Sequence, residues 1–200
     1  MFEPPNGWNL VKTRDHVLPS YIEIWSIDSS FRDHSTFDLL KIRLEKENID
    51  LTIEKDRWGK PFLPNSTDWS FNCSHTTGIT ILAISRGNRI GVDVESVTTR
   101  SSINNITERY FSDSENEIIR KFSQKSRDRI FYRIWAFKEA AIKAASLGSE
   151  ISVDSVLVDL THNNKLNLDK KSRILENFSN LKLLELELDD PFVGFIAIIG

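Results

Sequence analysis

Three carboxylates and two lysines fall in two short stretches near the middle of this 200-residue chain. The first stretch, Gly91-Val92-Asp93-Val94-Glu95, carries two of the carboxylates, and the second, from Trp135 to Lys143, carries Lys138, Glu139 and Lys143 itself. Carboxylate oxygens are the ligands that Mg²⁺ prefers, and the bound ion keeps open positions for phosphate oxygens. Lysine ammonium groups bind the same phosphates as point charges. Together these residue types predict a site for a metal-bound pyrophosphate.

Each stretch predicts an element that would place its charged side chains on one face. Side chains two apart on a strand point the same way, so Asp93 and Glu95 would project together, roughly 7 Å apart. Apolar residues at spacings of three and four predict a helix from about Arg127 to Ser146. On that helix Glu139 and Lys143 are one turn apart and share a face. A carboxylate on the helix would then complete a site begun on the strand.

An ordinary surface role is the alternative for each stretch taken alone. An Asp-x-Glu pattern on a strand is most often the solvated face of a half-buried sheet. A Glu/Lys pair one helical turn apart is common surface charge, worth about 0.3 to 0.5 kcal/mol. The functional interpretation is favoured only by the combination of the two stretches with the motifs upstream of them.

Composition limits the classes of protein to which the chain can belong. With 40% hydrophobic and 28% charged residues, it has the composition of an ordinary globular protein. The single cysteine, Cys73, excludes an internal disulfide framework and fits a reducing cytosol, so we expect a cytoplasmic protein. The longest apolar run, Phe192 to Ile199, is far shorter than the ~20 residues of a membrane helix. The N-terminus does not have the pattern of a secretory signal. A net charge of −3 argues against nucleic acid as a partner, and we expect no membrane partner.

The remaining pattern alternates helices with strands. The predicted strands are 21–27, 51–53, 79–84, 90–94, 153–160, 181–188 and 192–199, and the predicted helices are 35–48, 112–122 and 127–146. The turn Arg86-Gly87-Asn88-Arg89 predicts a hairpin between the third and fourth strands. Ser112 and Glu115 form a capping-box pattern, and Gly148 is a C-terminal cap candidate for the last helix. Helices followed by strands in each half predict an α+β fold.

With these motifs in order, the chain resembles the Sfp-type 4'-phosphopantetheinyl transferases from about Leu39 to the C-terminus. The matching segments are Gly59-Lys60-Pro61-Phe62, the loop Phe71-Asn72-Cys73-Ser74-His75, Gly91-Val92-Asp93-Val94-Glu95, Phe111-Ser112-Asp113-Ser114-Glu115, and Trp135 to Lys143. The resemblance implies a pseudo-dimer of two similar α/β halves with antiparallel sheets, residues 1–100 and 101–200. The active site would lie in the cleft between the halves.

The resemblance also implies a reaction. A holo-[acyl-carrier-protein] synthase type enzyme moves the 4'-phosphopantetheine arm of coenzyme A onto a serine of an apo carrier protein and releases adenosine 3',5'-bisphosphate. The expected metal is Mg²⁺, with Mn²⁺ as a substitute, and the expected state is a monomer. Two other functions stay open: a non-catalytic relative that binds carrier proteins, and another Mg²⁺-dependent diphosphate hydrolase.

Residue roles follow from the same resemblance. Mg²⁺ would be held by Asp93, Glu95 and Glu139, and Glu139 would also take the serine proton, directly or through a water. The residues implied to contact coenzyme A are Lys60, Ser74, His75, Asp93, Lys138 and Lys143. For His75 a simple loop role, and for Lys60 a common Gly-Lys-Pro turn, are the alternatives from sequence alone.

The chain departs from the family between its first strand and the helix that contains Leu40. The family has a longer basic segment there, whereas only Asp28 to Asp38 fills this interval. Arg32, Lys41 and Arg43 are candidate substitutes for binding the 3'-phosphate of coenzyme A, although surface charge is the favoured reading of each.

A basic cluster lies before and within the first turns of the predicted helix 127–146. Its members are Arg120, Lys121, Lys125, Arg127, Arg129 and Arg133. Such a cluster predicts either a docking surface for an acidic carrier protein or a solvated helical surface.

Overall fold

The alternation of helical and strand patterns produces two antiparallel sheets, each with a helix on its outer face, in the computed structural model of the chain. The structure describes residues 4–14, 16–19, 21–29, 36–49, 51–57, 59–66, 68–99, 103–145, 152–161 and 163–200. Its strands are β1 Asn9–Leu10, β2 Ile22–Asp28, β3 Glu54–Lys55, β4 Pro61–Phe62, β5 Trp69–Thr76, β6 Ile79–Arg86, β7 Arg89–Ser96, β8 Val158–Leu160, β9 Leu166–Leu168, β10 Lys182–Glu185 and β11 Phe192–Ile199. Its α-helices are α1 Thr36–Glu45, α2 Ile103–Tyr110, α3 Asp113–Arg120, α4 Gln124–Ala145 and α5 Ile174–Asn177, with a 3₁₀ turn at Val153–Ser155.

The two main sheets repeat one topology. The first sheet has the order β1-β2-β6-β5, and the second has the order β10-β11-β7. If the short β1 is left aside, the central strand of each sheet is the last one in sequence. β6 lies between β2 and β5, and β11 lies between β7 and β10. The α+β class is confirmed, and the repeated strand order is what two similar halves require. β7 pairs within the second sheet, although its residues belong to the predicted half 1–100. The division at residue 100 stays a prediction.

The core consists of three clusters that separate the layers. Alternating residues of β2, β6, β7 and β11, among them Ile24, Ile81, Val92 and Ile196, pack the two sheets face to face. Leu39, Leu40 and Leu44 of α1 cover the outer face of the first sheet, and α4 covers the outer face of the second. Because side chains alternate along a strand, burial of Ile90, Val92 and Val94 between the sheets turns Gly91, Asp93 and Glu95 towards α4.

The predicted hairpin between the strands around Ile81 and Val92 is wrong. β6 lies between β2 and β5, whereas β7 pairs along its length with β11, from Ser96 opposite Phe192 to Arg89 opposite Ile199. The short turn at Gly87, whose φ is +80°, therefore carries the chain from one sheet to the other. The local turn signal is real, but pairing with a strand a hundred residues away decides the sheet.

Several other boundaries can be compared with the sequence pattern. The capping box of Ser112 and Glu115 is present, with α3 beginning at Asp113. β3 begins at Glu54, directly after the predicted strand 51–53, and the predicted strand 153–160 is divided into the 3₁₀ turn and β8. Gly148 lies outside the described residues. No helix in the described part of the chain has the length and apolar character needed to cross a membrane.

Candidate active site

The seam, defined here as the contact of β5 with β7, brings together three of the residues singled out by sequence. The Nζ of Lys143 on α4 donates to Oδ1 of Asp93 at 2.6 Å and to Oγ of Ser74 at 3.2 Å. Ser74 on β5 donates to the same Asp93 oxygen at 2.9 Å. A carboxylate, an ammonium and a hydroxyl from three different elements thus converge at one point.

Gly91 explains why α4 lies close enough to β7 for this contact. A Cβ at Gly91 would lie 2.2 Å from the backbone nitrogen of Ala144 and 2.3 Å from the carbonyl oxygen of Ala140. Both distances are far below van der Waals contact and involve helix backbone, which cannot rotate away. Only glycine permits this approach, which brings the α4 face that carries Glu139 and Lys143 against the strand that carries Asp93.

The burial and charge around Asp93 favour a cation at its carboxylate. Asp93 is 5% exposed, and its Oδ2 is buried without a hydrogen-bond partner in the described part of the chain. Burial raises the pKa of Asp93, whereas the Lys143 ammonium and the Ser74 hydroxyl oppose this rise. Burial also raises the pKa of Glu139, and the Asp93 charge raises it further. Two carboxylates therefore lie within electrostatic range of one another, and the Lys143 ammonium contacts Asp93 and opposes the rise in the pKa of Glu139.

Glu95 shares the strand face of Asp93, as the alternation predicts, and is half-buried. Among the described residues no group of three or more His, Cys, Asp or Glu side chains is arranged to hold a metal ion. The structure therefore brings Asp93 and Glu139 into range of one another, and the three-carboxylate metal site stays a prediction.

Lys60 approaches the same region from the first half of the chain. Its Nζ donates to the carbonyl oxygen of Lys143 at 2.6 Å and lies 3.5 Å from that of Ile90. Burial, together with the nearby Arg89 charge, lowers the pKa of Lys60 to about 8. Because Lys143 lies in the last turn of α4, a cation at its carbonyl oxygen also complements the helix dipole. Lys60 thus connects its turn to the end of the helix that carries Lys143.

Ser74 and His75 are separated by the structure, although the resemblance implies coenzyme A contacts for both. Their segment is not the expected loop but strand β5, where neighbouring side chains point to opposite faces. Ser74 is buried at the seam, whereas His75 is exposed. Only Ser74 is brought to Asp93 and Lys143.

Lys138 lies elsewhere, although the resemblance implies that it binds coenzyme A. Its side chain is fully buried, and its Nζ donates to Oε2 of Glu115 at 2.7 Å and lies over the Phe111 ring. Glu115 also accepts from the backbone N–H groups of Ser112 and Val158. The phosphate role of Lys138 is therefore corrected to a structural one, because adjacent helix residues point about 100° apart and Lys138 faces α3.

Replacement of Lys138 tests this correction. Lys138→Met would leave the Glu115 carboxylate buried without its cation, and we expect a loss of about 3 to 5 kcal/mol in the free energy of unfolding. The double variant Lys138→Met/Glu115→Gln removes both charges and should recover part of that loss. Urea denaturation of the three proteins measures the effect. Unchanged stability with a raised KM for coenzyme A would instead support the phosphate role.

Two members of the basic cluster, Arg129 and Arg133, pair with carboxylates of the protein. Arg133 donates to both carboxylate oxygens of Glu185, at 2.7 and 3.0 Å, and Arg129 pairs with Asp190 at 2.6 Å. Arg120 and Lys121, at the end of α3, are exposed. Docking of a carrier protein on this cluster stays a prediction.

The candidates for the 3'-phosphate lie on α1 or outside the described residues. Arg43 pairs with Glu23 and Glu47, at 2.9 and 3.0 Å, and Lys41 lies 3.9 Å from Glu45. Arg32 is not among the described residues. These contacts account for Arg43 and Lys41 as surface charge.

Sequence reasoning assigned no role to Asn72 or Arg89. Oδ1 of the buried Asn72 accepts a hydrogen bond from the backbone N–H of Val92 at 2.8 Å. Arg89 donates to the carbonyl oxygen of Ala145 at the end of α4. The only available signal was their position, Asn72 two residues before Ser74 and Arg89 two residues before Gly91.

Comparison with known proteins adds a family and several relatives. Residues 89–192 match the model of the 4'-phosphopantetheinyl transferase superfamily. The 4'-phosphopantetheinyl transferase HetI of Nostoc sp. is 29% identical over 145 residues, which cover 71% of this chain and 58% of that protein. Sfp of Bacillus subtilis is 29% identical over 62% of this chain and 54% of its own length. The rat L-aminoadipate-semialdehyde dehydrogenase-phosphopantetheinyl transferase is 33% identical over 60% of this chain and 44% of its own. The chain spans about half the length of these relatives.

Two solved structures match part of the chain. The ACPS–CoA complex of Chronobacterium ammoniagenes matches 56% of this chain and 96% of its own, with a TM-score of 0.46 and 18% identity. The Helicobacter pylori holo-[acyl-carrier-protein] synthase in complex with coenzyme A matches 56% of this chain and 99% of its own, with a TM-score of 0.43 and 20% identity.

Proposed function

Since the chain belongs to the 4'-phosphopantetheinyl transferase superfamily, we propose that it transfers the 4'-phosphopantetheine arm of coenzyme A to a serine of an apo carrier protein. The observation that carries this proposal is the contact of Lys143 with Asp93 and Ser74 beside Glu139. A buried carboxylate with one oxygen that no described residue contacts by a hydrogen bond, next to a lysine, suits a site for a cation and a phosphate together.

We propose Mg²⁺ as the cation, with Mn²⁺ as a substitute. Oδ2 of Asp93, which has no hydrogen-bond partner among the described residues, and the nearby carboxylate of Glu139 are hard oxygen donors that fit this ion, and Glu95 follows on the same strand face. When bound, the ion would supply Lewis-acid stabilisation of phosphate oxygens. Positive charge there would also offset the mutual repulsion of the two carboxylates.

The proposed reaction is an in-line displacement at phosphorus. The serine oxygen of the carrier forms a bond to the phosphorus attached to pantetheine, and the bond from that phosphorus to the bridging oxygen breaks. Adenosine 3',5'-bisphosphate leaves with the bridging oxygen. Negative charge builds on the phosphate oxygens and the leaving group, so catalysis depends mainly on positioning and on cations such as the Lys143 ammonium.

The serine proton needs an acceptor within the site. Glu139 lies within electrostatic range of Asp93 and Lys143, and a carboxylate that also holds a metal has a lowered pKa, which favours transfer of the proton through a water. We propose that Glu139 accepts the proton, directly or through a water. Ser74 and Lys60 would complete the coenzyme A contacts, Ser74 from the seam and Lys60 from the end of α4.

The proposal is tested by incubating the protein with coenzyme A, Mg²⁺ and a panel of apo carrier proteins from fatty-acid, polyketide and nonribosomal-peptide systems. We expect the mass of at least one carrier to increase by one phosphopantetheine arm, and chelation of the metal to prevent the increase. Binding of a carrier without coenzyme A binding in calorimetry would favour the non-catalytic relative. Phosphate release without a carrier would favour a hydrolase. Modification of an acyl carrier protein in particular would identify the enzyme as a holo-[acyl-carrier-protein] synthase.

Lys143→Ala should weaken the use of coenzyme A. Loss of the ammonium removes the charge that lies 2.6 Å from Asp93 and faces the proposed pyrophosphate site. We expect kcat/KM for coenzyme A to fall by about 100-fold, which corresponds to roughly 2.7 kcal/mol. Steady-state kinetics with varied coenzyme A measure this value, and Lys170→Ala, at an exposed lysine in the turn after β9, is the matched control. Equal kinetics in the two variants would remove Lys143 from the phosphate site.

A further inference from the structure

The two sheets meet at the seam through side chains of one strand and the backbone of the other. Ser70, Asn72 and Ser74 alternate along β5, and each forms a hydrogen bond with the backbone of β7 or of the turn before it. Ser70 donates to the carbonyl oxygen of Asn88 at 2.5 Å, and Asn72 accepts from the N–H of Val92 at 2.8 Å. Ser74 Oγ accepts from the backbone N–H of Val94 at 3.3 Å.

These hydrogen bonds supply acceptors for backbone N–H groups of β7 that have no partner strand on that side. As an edge strand of the second sheet, β7 pairs with β11 on one side only. The N–H groups of Val92 and Val94 are directed towards β5, and these residues are 0% and 1% exposed. A buried N–H without a partner costs about 1 to 3 kcal/mol, so an acceptor must be supplied from across the seam.

The two acceptors, Asn72 and Ser74, differ in their contacts with the site. Ser74 Oγ is shared among the backbone of β7, Asp93 Oδ1 and Lys143 Nζ, so it is part of the site itself. Within the described part of the chain, Asn72 forms no hydrogen bond with Asp93 or Lys143, but it accepts one from Val92, the residue immediately before Asp93. It is 5% exposed and lies at 2.8 Å, a good hydrogen-bond distance.

We infer that Asn72 is a positioning residue for the reaction: its hydrogen bond to Val92 fixes β7 against β5 and thereby sets where the Asp93 carboxylate lies relative to Ser74 and Lys143. A strand of the first sheet thus controls a carboxylate on a strand of the second sheet. The kinetic part of this inference rests on the proposed transferase function. Displacement of a reacting group by about 1 Å can cost 100-fold in rate, so the effect should be large.

Three variants separate positioning from general stability. Asn72→Leu keeps nearly the same shape but removes the acceptor, and Asn72→Asp keeps an oxygen acceptor at the same distance along the side chain. Ser70→Ala removes a seam hydrogen bond of the same strand face away from Asp93. Amide hydrogen exchange at Val92 reports the bond directly, and kcat and KM for coenzyme A report its consequence.

We expect Val92 exchange to accelerate in Asn72→Leu and to stay near wild type in Asn72→Asp and Ser70→Ala. In Asn72→Leu kcat should fall by about 10- to 100-fold while KM for coenzyme A changes by less than about threefold. Ser70→Ala should stay within about twofold of wild type in both values. If Asn72→Leu does not fold, Asn72→Ala is measured against the same criteria.

Unchanged Val92 exchange in the variant without an acceptor would overturn the inference, as would a kcat equal to that of Ser70→Ala. Absence of transfer by the wild-type protein is a different result, since it would overturn the proposed function. In that case Val92 exchange still decides whether Asn72 holds β7.

Discussion

Asp93→Asn should reduce phosphopantetheine transfer by about 100- to 1,000-fold while leaving the protein folded. The substitution preserves the shape of the side chain but removes the charge that attracts Lys143 at 2.6 Å. It also replaces one carboxylate oxygen by an NH₂ group, which cannot bind a cation. The proposed metal would lose a carboxylate ligand, and Lys143 would lose its ion pair. Single-turnover measurement of carrier modification, together with the melting temperature, separates loss of chemistry from loss of fold.

Glu117→Gln is the matched control for charge removal. Glu117 is an exposed carboxylate on α3, away from the seam, and its replacement should leave the transfer rate unchanged. If Asp93→Asn retained more than about a tenth of the wild-type rate, electrostatic anchoring by Asp93 would be too small to support the proposed site.

Gly91→Ala should destabilise the protein or displace α4, and should lower transfer with it. The added methyl carbon would lie 2.2 Å from one helix backbone atom and 2.3 Å from another, so the helix itself has to move. We expect a loss of more than about 3 kcal/mol in the free energy of unfolding, at the upper end of single-residue effects. Chemical denaturation measures the loss, and the activity of the remaining folded fraction measures the displacement.

Gly87→Ala separates this close approach from backbone strain. Gly87 has a φ of +80°, which alanine adopts with difficulty, but no atom lies within 4 Å of its added Cβ. We expect about 1 to 2 kcal/mol from strain alone. A Gly91→Ala protein as stable as Gly87→Ala would mean that α4 can retreat from β7 without consequence.

The parts of the site that local pattern predicts are the parts that the structure reproduces. Helical spacing predicted that Glu139 and Lys143 share a face, and strand alternation predicted the common face of Asp93 and Glu95. The capping box predicted the start of α3 at Asp113. Each of these depends on neighbours within a few residues, where backbone geometry alone decides which way a side chain points.

Features that depend on distant partners could not be predicted in the same way. The pairing of β7 with β11 rather than β6 is set by a strand a hundred residues further along the chain. Lys138 and Glu139 are adjacent in sequence, yet one lies in the core with Glu115 and the other near Asp93. Charge type predicts an interaction for both residues, but only the packing of α3 against α4 decides which one is buried.

The assembled site explains why the motifs are spread over both halves of the chain. Lys60 and Ser74 come from the first half, and Asp93, Glu139 and Lys143 from elements of the second sheet and its helix. The group exists only when β5 lies against β7 and α4 lies against Gly91. Binding of a pyrophosphate between them would therefore report the correct association of the two halves.

The most direct test is to measure modified carrier and released adenosine 3',5'-bisphosphate in the same reaction, with coenzyme A and Mg²⁺ and with wild type and Asp93→Asn in parallel. We expect one nucleotide released for each carrier that gains a phosphopantetheine arm, and at least about a 100-fold slower course in the variant. Equal rates in the two proteins, or nucleotide release without carrier modification, would contradict a transfer site built on Asp93 and Lys143.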